Sequence, residues 1–246
     1  MFKSKYHICE LFGIPVYLDI SFAILLFIFI TSDRSISFGF ATALVLAISV
    51  VLHELAHALT ARAFGYRTND ITISLLGGCA SMIALPRKAY QEFLTALAGP
   101  LMSFLIAFGV LALDLNEVRV ENDFTRSVLQ YTFYLNVMLG GFNLLPGFPM
   151  DGGRIFRSAM RLFTTRVKAT LIAMWVGRVF AILLGLKGLA SIFNGGSWGF
   201  VTCLIAYMIW KEGYREYLLA RQEDDVNRPW TQADFCARVS PPPYER

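Results

Sequence analysis

A series of long apolar stretches with almost no charge constrains the fold of this chain more than any other feature. A helix that crosses the hydrocarbon core of a bilayer needs about 20 consecutive, mostly apolar residues. The stretches 93–113 and 127–148 meet this requirement without a single Asp, Glu, Lys or Arg. Over the whole chain 16% of the residues are charged, whereas soluble domains average about 25%. This pattern predicts a membrane protein rather than a soluble enzyme, and a net charge of +4 is too small to suggest a nucleic-acid partner.

The apolar stretches predict an all-α polytopic membrane protein with about six transmembrane helices in one domain, residues 1–221. The predicted spans are 11–31, 38–63, 93–113, 127–148, 169–193 and 197–214. Residues 222–246 are polar and contain several prolines, which indicates a loose cytoplasmic tail.

Residues 70–85 are apolar but do not resemble a membrane span. The segment is rich in β-branched residues near its start and carries Gly77 and Gly78 at its centre. This pattern is typical of two short strands around a glycine turn. We therefore predict a short, membrane-associated β-hairpin whose backbone is covered by protein or water.

The distribution of Lys and Arg between the connecting segments predicts the orientation in the membrane. Most of these residues fall in the N-terminus, in segments 65–92 and 151–168, and in the C-terminal tail. The loops 32–37 and 114–126 contain few of them. Because loops rich in Lys and Arg stay in the cytoplasm, we expect a multi-pass protein of the cell membrane, plasma or inner, with both termini in the cytoplasm.

The second predicted span contains the motif His53-Glu54-Leu55-Ala56-His57. Residues four apart share one face of a helix, so both imidazoles can reach one metal ion while the glutamate acts on water beside it. Polar side chains inside an apolar span are costly unless they line a polar cavity or bind something. The motif therefore predicts a catalytic metal site on the cytoplasmic half of this span.

A catalytic zinc ion usually takes three protein ligands and keeps one position open for water. Asp151 is the favoured third ligand, because it ends a proline-broken segment on the same predicted side as His57. Glu92 is an alternative, although it lies in a charged segment where a solvated carboxylate is expected. Two further alternatives are Asp19, which could instead pair with Arg178 inside the membrane, and His7, which is expected at the surface.

The HExxH motif together with Asn143-Leu144-Leu145-Pro146-Gly147-Phe148-Pro149-Met150-Asp151-Gly152-Gly153 resembles the site-2 protease family of intramembrane zinc metalloproteases. The resemblance covers about residues 10–165 and includes Ala98-Gly99-Pro100 in the third span. It implies one zinc ion held by His53, His57 and Asp151, with Glu54 activating water. It also implies a catalytic core made of the second, third and fourth spans. The family often has an Asn shortly after Ala-Gly-Pro, where this chain has Ser103.

The resemblance implies hydrolysis of peptide bonds in or near transmembrane segments of other membrane proteins. Substrates of this kind include membrane-anchored transcription regulators and anti-sigma factors, cut in regulated intramembrane proteolysis. Asn143 is a candidate hydrogen-bond donor to the substrate, or alternatively an interhelical contact, and Asn136 is expected to be structural. An edge of the predicted hairpin could pair with an unwound substrate as an added strand.

Two other functions are compatible with the same residues. A membrane metal-ion transporter also places His and Asp in its spans, but its ligands lie near the midplane and are accessible from both sides. A catalytically inactive relative would keep the fold and bind membrane helices without cutting them. The intact HExxH motif favours the protease over both alternatives.

Overall fold

The protein is mainly helical and carries one small sheet. The structure, a computed structural model, describes residues 5–32, 35–74, 77–82, 88–115, 122–196 and 199–227. The helices in these ranges are α1 Ile20–Ser32, α2 Ile36–Ala63, α3 Ala89–Leu115, α4 Asp123–Asn143, α5 Asp151–Met160, α6 Arg166–Phe193 and α7 Gly199–Asn227. The strands are β1 Lys5–Leu11, β2 Ile14–Asp19, β3 Thr68–Ser74 and β4 Gly77–Met82.

Three of the described helices, α2, α3 and α6, are long and apolar enough to cross a membrane by length and composition. Together with the family relationship reported below, this finding supports a membrane protein. The count of six spans stays a prediction, as do the single domain 1–221 and the orientation.

The first predicted span differs from the structure, and the all-α fold class needs correction. Residues 14–19 form β2, and only the 13 residues of α1 are helical. At about 1.5 Å per residue, α1 is too short to cross a bilayer of ordinary thickness alone. Phe12 and Gly13 both have positive φ and form a tight two-residue hairpin turn. Because the chain reverses there, residues 14–19 pair with β1 as a strand and do not continue a helix.

The four strands form one sheet in the order β1-β2-β3-β4. The β1–β2 and β3–β4 pairs are antiparallel, whereas β2 and β3 pair in parallel, with Val16 opposite Ile71. Parallel neighbours need a crossover connection, which here consists of α1 and α2. The predicted hairpin is therefore present as β3 and β4 but belongs to a larger sheet. The predicted glycine turn is wrong, because Gly77 and Gly78 pair with Ser74 and Ile73 as part of β4. Residues 75–76 and 83–85 of the predicted segment lie outside the described residues.

The core beneath the sheet joins it to α1 and α2. Buried apolar side chains from both layers pack together there: Ile14, Val16, Phe22, Val50, Leu55, Ala58, Ile71 and Ile73. The packing fixes α2, and with it the HExxH motif, against the sheet.

The last predicted elements also have different bounds. Helix α4 ends at Asn143, and a turn containing Pro146 and Pro149 leads into α5, a helix that we did not predict. Helix α7 continues to Asn227, so the first residues of the predicted tail are helical. Residues 228–246 lie outside the described residues.

Candidate metal centre

Two histidines and a glutamate lie on α2, buried within the helix bundle. His53 and His57 are four residues apart, and their side chains leave one face of the helix. Their side chains and that of Glu54 are all buried. Polar groups withdrawn from solvent in this way need partners inside the protein.

Asp151 meets the two histidines from the first turn of α5. Its Oδ2 atom lies 3.1 Å from His53 Nε2 and 3.0 Å from His57 Nε2. The next residue, Gly152, lies so close to the backbone of Leu144 that a Cβ atom there would have no room. The glycine thus lets the chain turn tightly enough to bring Asp151 to α2.

The other nitrogen of each imidazole is held by α3. His57 Nδ1 lies 2.7 Å from the Thr95 carbonyl oxygen. Since a carbonyl only accepts hydrogen bonds, this nitrogen carries the hydrogen. His53 Nδ1 lies 2.9 Å from the Ser103 hydroxyl. Partners of this kind fix the ring orientation of metal-ligating histidines, and here they turn both Nε2 atoms towards Asp151.

The three side chains fit a metal ion by the chemistry of their donor atoms. With hydrogen on Nδ1, a neutral His57 ring presents a lone pair at Nε2. A lone pair and a carboxylate oxygen 3.0 Å apart repel each other unless a proton or a metal cation lies between them. One ligand atom from each of the three residues lies within 4.8 Å of the others. Two imidazole nitrogens and one carboxylate oxygen form a donor set that suits catalytic zinc, so this site can bind one ion.

Gly99 of α3 borders the same space. A Cβ atom on Gly99 would lie 2.6 Å from His53 Nε2 and closer still to His57 Nε2. The backbone of α3 can approach the two nitrogens only because this residue has no side chain.

We expect the substitution Gly99→Ala to abolish metal binding, because the added methyl group would occupy the space between the two Nε2 atoms. The metal content of the purified protein, measured by plasma mass spectrometry, should fall from one ion per chain to nearly none. Gly109→Ala is the matched control, since a Cβ atom at that position of α3 meets nothing within 4 Å. Full metal content in the Gly99 variant would show that α3 does not shape the site.

Glu54 lies beside the cluster, not in it. Its carboxylate is within electrostatic range of His53, His57, Asp151 and Arg154. The neighbouring position on α2 keeps it off the face that the two histidines share. A carboxylate placed there can exchange a proton with a water molecule at the site.

Comparisons with known proteins support the membrane protease relationship. The sequence profile of Peptidase family M50 matches residues 41–120 and 116–184, which include the HExxH motif and Asp151. The chain belongs to peptidase family M50. The predicted membership of the site-2 protease family is thereby confirmed.

Relatives of this M50 chain include proteins from archaea and bacteria. A zinc metalloprotease of Methanocaldococcus jannaschii is 37% identical over 74% of this chain and 53% of its own length. The stage IV sporulation protein FB of Bacillus subtilis is 32% identical over 58% of this chain and 48% of its own length. The chain thus spans about half the length of these curated relatives. The solved structure of a site-2 protease from Methanocaldococcus jannaschii matches with a TM-score of 0.66 and 32% identity, over 87% of this chain and 95% of that one.

Glu92 is neither a neighbour of the metal cluster nor a solvated carboxylate in this M50 chain. It is buried and accepts hydrogen bonds from Arg157 Nε at 2.7 Å and from Arg161 Nη1 at 3.1 Å. Glu92 therefore joins the start of α3 to α5, the helix that carries Asp151.

Asp19 and His7 also lie apart from the three clustered ligand atoms. Asp19 ends β2, and its carboxylate accepts hydrogen bonds from the backbone N–H and the hydroxyl of Ser21. Asp19 thereby caps the N-terminus of α1. His7 is exposed on β1, where its ring packs edge-on against Tyr17. Arg178 contacts the rings of Trp175, Trp210 and Tyr214, whereas Asp19 bonds Ser21, so the predicted Asp19–Arg178 pair is not formed.

The two asparagines of α4 differ in their surroundings. Asn136 is fully buried, and its amide donates to Ser49 Oγ of α2 at 2.9 Å. It thus makes the interhelical contact expected of a structural residue. The Asn143 amide donates to the Leu139 carbonyl one turn back in its own helix, and its role towards a substrate stays a prediction.

Several residues around the site escaped the sequence reasoning. Thr95 acts through its backbone carbonyl, which no side-chain pattern can reveal. Gly99 is part of the quoted Ala-Gly-Pro, but its proximity to the histidines depends on how α2 and α3 pack. Arg157 carries no motif and becomes notable only because it is almost completely buried.

Proposed function

We propose that this chain is an intramembrane zinc metalloprotease that hydrolyses peptide bonds in or near transmembrane segments of other membrane proteins. The observation that carries the proposal is the convergence of His53 Nε2 and His57 Nε2 on one oxygen of Asp151, with Glu54 adjacent. The helix that carries both histidines is also long and apolar enough to cross a membrane. A peptidase site on such a helix is placed to meet substrates within the bilayer.

His53, His57 and Asp151 are the residues that would hold the ion. Zinc bound there would acidify a water molecule and polarise the scissile carbonyl. Glu54 takes the proton from the attacking water and later passes it to the leaving amine, as general base and then general acid. Asn143 donates a hydrogen bond to the substrate backbone or to the developing oxyanion, after giving up its bond to Leu139.

A helical substrate has to unwind before it can be cut, because its carbonyls are engaged in internal hydrogen bonds. Strand β4 is the terminal strand of the described sheet and lies against α2. An extended segment added beside β4 would be held by backbone hydrogen bonds near the HExxH helix. We propose this strand as the element that presents the substrate.

The proposed substrates are single-span membrane proteins, such as membrane-anchored transcription regulators or anti-sigma factors. The Lys and Arg distribution supports a multi-pass protein with cytoplasmic termini and a site on the cytoplasmic side. A cut near the cytoplasmic side of the membrane would release the regulator into the cytoplasm.

A cleavage assay with reconstituted protein tests the proposal. The purified chain in liposomes should cut members of a panel of single-span substrates. A zinc chelator should stop cleavage, and added zinc should restore it. Mass spectrometry of the products should place the cut in or near the membrane segment.

The same liposomes distinguish the alternatives. Zinc uptake into the lumen without cleavage of any substrate would favour the metal transporter. Substrate capture without cleavage in the zinc-loaded protein would favour an inactive relative. Either result would overturn the proposed activity.

A further inference from the structure

Arg178 lies in an aromatic cluster where α6 meets α7. Its guanidinium carbon is 4.7 Å from the ring centre of Trp175, 4.5 Å from that of Trp210 and 5.8 Å from that of Tyr214. Cations bind to aromatic faces at such distances. The cluster is open to the outside, because the three aromatic residues are between 41% and 54% exposed.

The hydrogen-bonding capacity of Arg178 is not met by this cluster. Aromatic faces attract the charge, but they accept hydrogen bonds only weakly, and a guanidinium has five N–H donors. Its Nε atom is buried without a hydrogen-bond partner. The ion pairs formed by the described residues do not include Arg178. The cation is therefore held in place but left without a counter-charge.

The cluster sits at the boundary between apolar and charged sequence. Residues 200–210 of α7 contain no charge, and Lys211 follows directly. The two helices are antiparallel, and further along on the charged side Arg166 pairs with Glu223 at 2.7 Å. Trp and Tyr concentrate at the level of the lipid headgroups in membrane proteins. Through its contacts with Trp210 and Tyr214, Arg178 lies level with the charged end of the uncharged run of α7.

We propose that Arg178, Trp175, Trp210 and Tyr214 form a binding site for the phosphate of an anionic phospholipid on the outer surface of the α6–α7 hairpin. The planar guanidinium matches two phosphate oxygens with parallel hydrogen bonds. An anionic lipid supplies the missing counter-charge, whereas a zwitterionic lipid brings its own cation. The exposed Lys211, beside Trp210 on α7, adds a second positive charge.

Native mass spectrometry of the full chain tests the proposal. Wild-type protein taken from mixed phosphatidylglycerol and phosphatidylcholine should retain phosphatidylglycerol. Arg178→Gln should reduce that retained fraction about fivefold. Lys187→Gln is the matched control, because Lys187 is an exposed cation on the same helix, away from the aromatic cluster. Its lipid retention should equal that of the wild type.

Several outcomes would overturn the proposal. Equal retention of phosphatidylglycerol by wild type and Arg178→Gln would do so, as would equal retention of both lipids by the wild type. Thermal stabilisation by inorganic phosphate that matches stabilisation by phosphatidylglycerol would assign the site to a free ion instead of a lipid. If Arg178→Gln does not fold, Trp210→Leu, which removes one of the rings that hold the guanidinium, should lower phosphatidylglycerol retention instead, and unchanged retention in that variant would overturn the proposal. None of these measurements depends on peptidase activity, so the proposed function can fail while this inference stands.

Discussion

The variant Glu54→Gln is expected to bind zinc as the wild type does and to lose about 10²–10⁴-fold in the rate of substrate cleavage. Glutamine has nearly the same shape as glutamate, so the buried position next to His53 remains filled. Its amide cannot take a proton from water, however. The loss therefore measures proton transfer and not the packing of α2.

The measurement pairs initial cleavage rates in liposomes with the zinc content of the same preparations. Glu223→Gln is the control, since Glu223 lies on α7, is 45% exposed and pairs with Arg166. This variant should cleave at the wild-type rate. Equal cleavage by Glu54→Gln and the wild type would remove Glu54 from the mechanism, and loss of zinc from the variant would make Glu54 a structural part of the metal site.

The variant Arg157→Met is expected to lower the free energy of unfolding by about 3–5 kcal/mol, since it leaves a buried carboxylate without its main partner. Arg157 is 1% exposed, and its guanidinium bonds Glu92 through Nε and also pairs with it through Nη2. It also contacts Glu216 of α7 at 3.3 Å and lies over the ring of Phe148. One side chain thus joins α3, α5 and α7.

Denaturant titration in mixed micelles, followed by tryptophan fluorescence, measures this loss of stability. The double variant Arg157→Met/Glu92→Met should recover much of the loss, because a buried ion pair can often be replaced by apolar side chains. Arg215→Met is the control, since its side chain is 71% exposed and, within the described residues, its ion-pair partner is Glu212. This variant should change stability by less than about 1 kcal/mol. A single variant as stable as the wild type would show that the buried network does not hold α5.

The network also links stability to the metal site. Asp151 and Arg157 lie on the same short helix, α5. Loosening of α5 should therefore move Asp151 away from His53 and His57, and the zinc content of Arg157→Met should fall with its stability. Arg157 acts here as a positioning residue, since it does not contact the three ligand residues.

The helix α2 and its motif could be predicted because their signals are local. The backbone N–H and C=O groups of a long uncharged stretch have no water to bond within the membrane, so they must bond each other, as they do in a helix. A spacing of four residues on such a helix places His53 and His57 on one face whatever the rest of the fold does. The sequence also indicated Asp151, because prolines and glycines around it disrupt regular helix.

The first apolar stretch shows where local signals are insufficient. Its composition suits a membrane helix, yet residues 14–19 pair in parallel with β3, more than 50 positions away in the sequence. The choice between strand and helix depends on that distant partner. No pattern within the stretch itself records it.

The sequence by itself determined the membrane class, the pair of histidines on one helix face and the identity of the glutamate beside them, because each depends on neighbours within a few turns. Only the tertiary structure decided which carboxylate meets the histidines. It placed Asp151 there, while Glu92 pairs with Arg157 and Asp19 caps α1. It also decided that α3 orients both imidazoles through Thr95 and Ser103 and approaches them at Gly99. Apart from the local Asp19 cap, these contacts join residues about 40 to 100 positions apart, and only the packing of helices against each other brings such residues together.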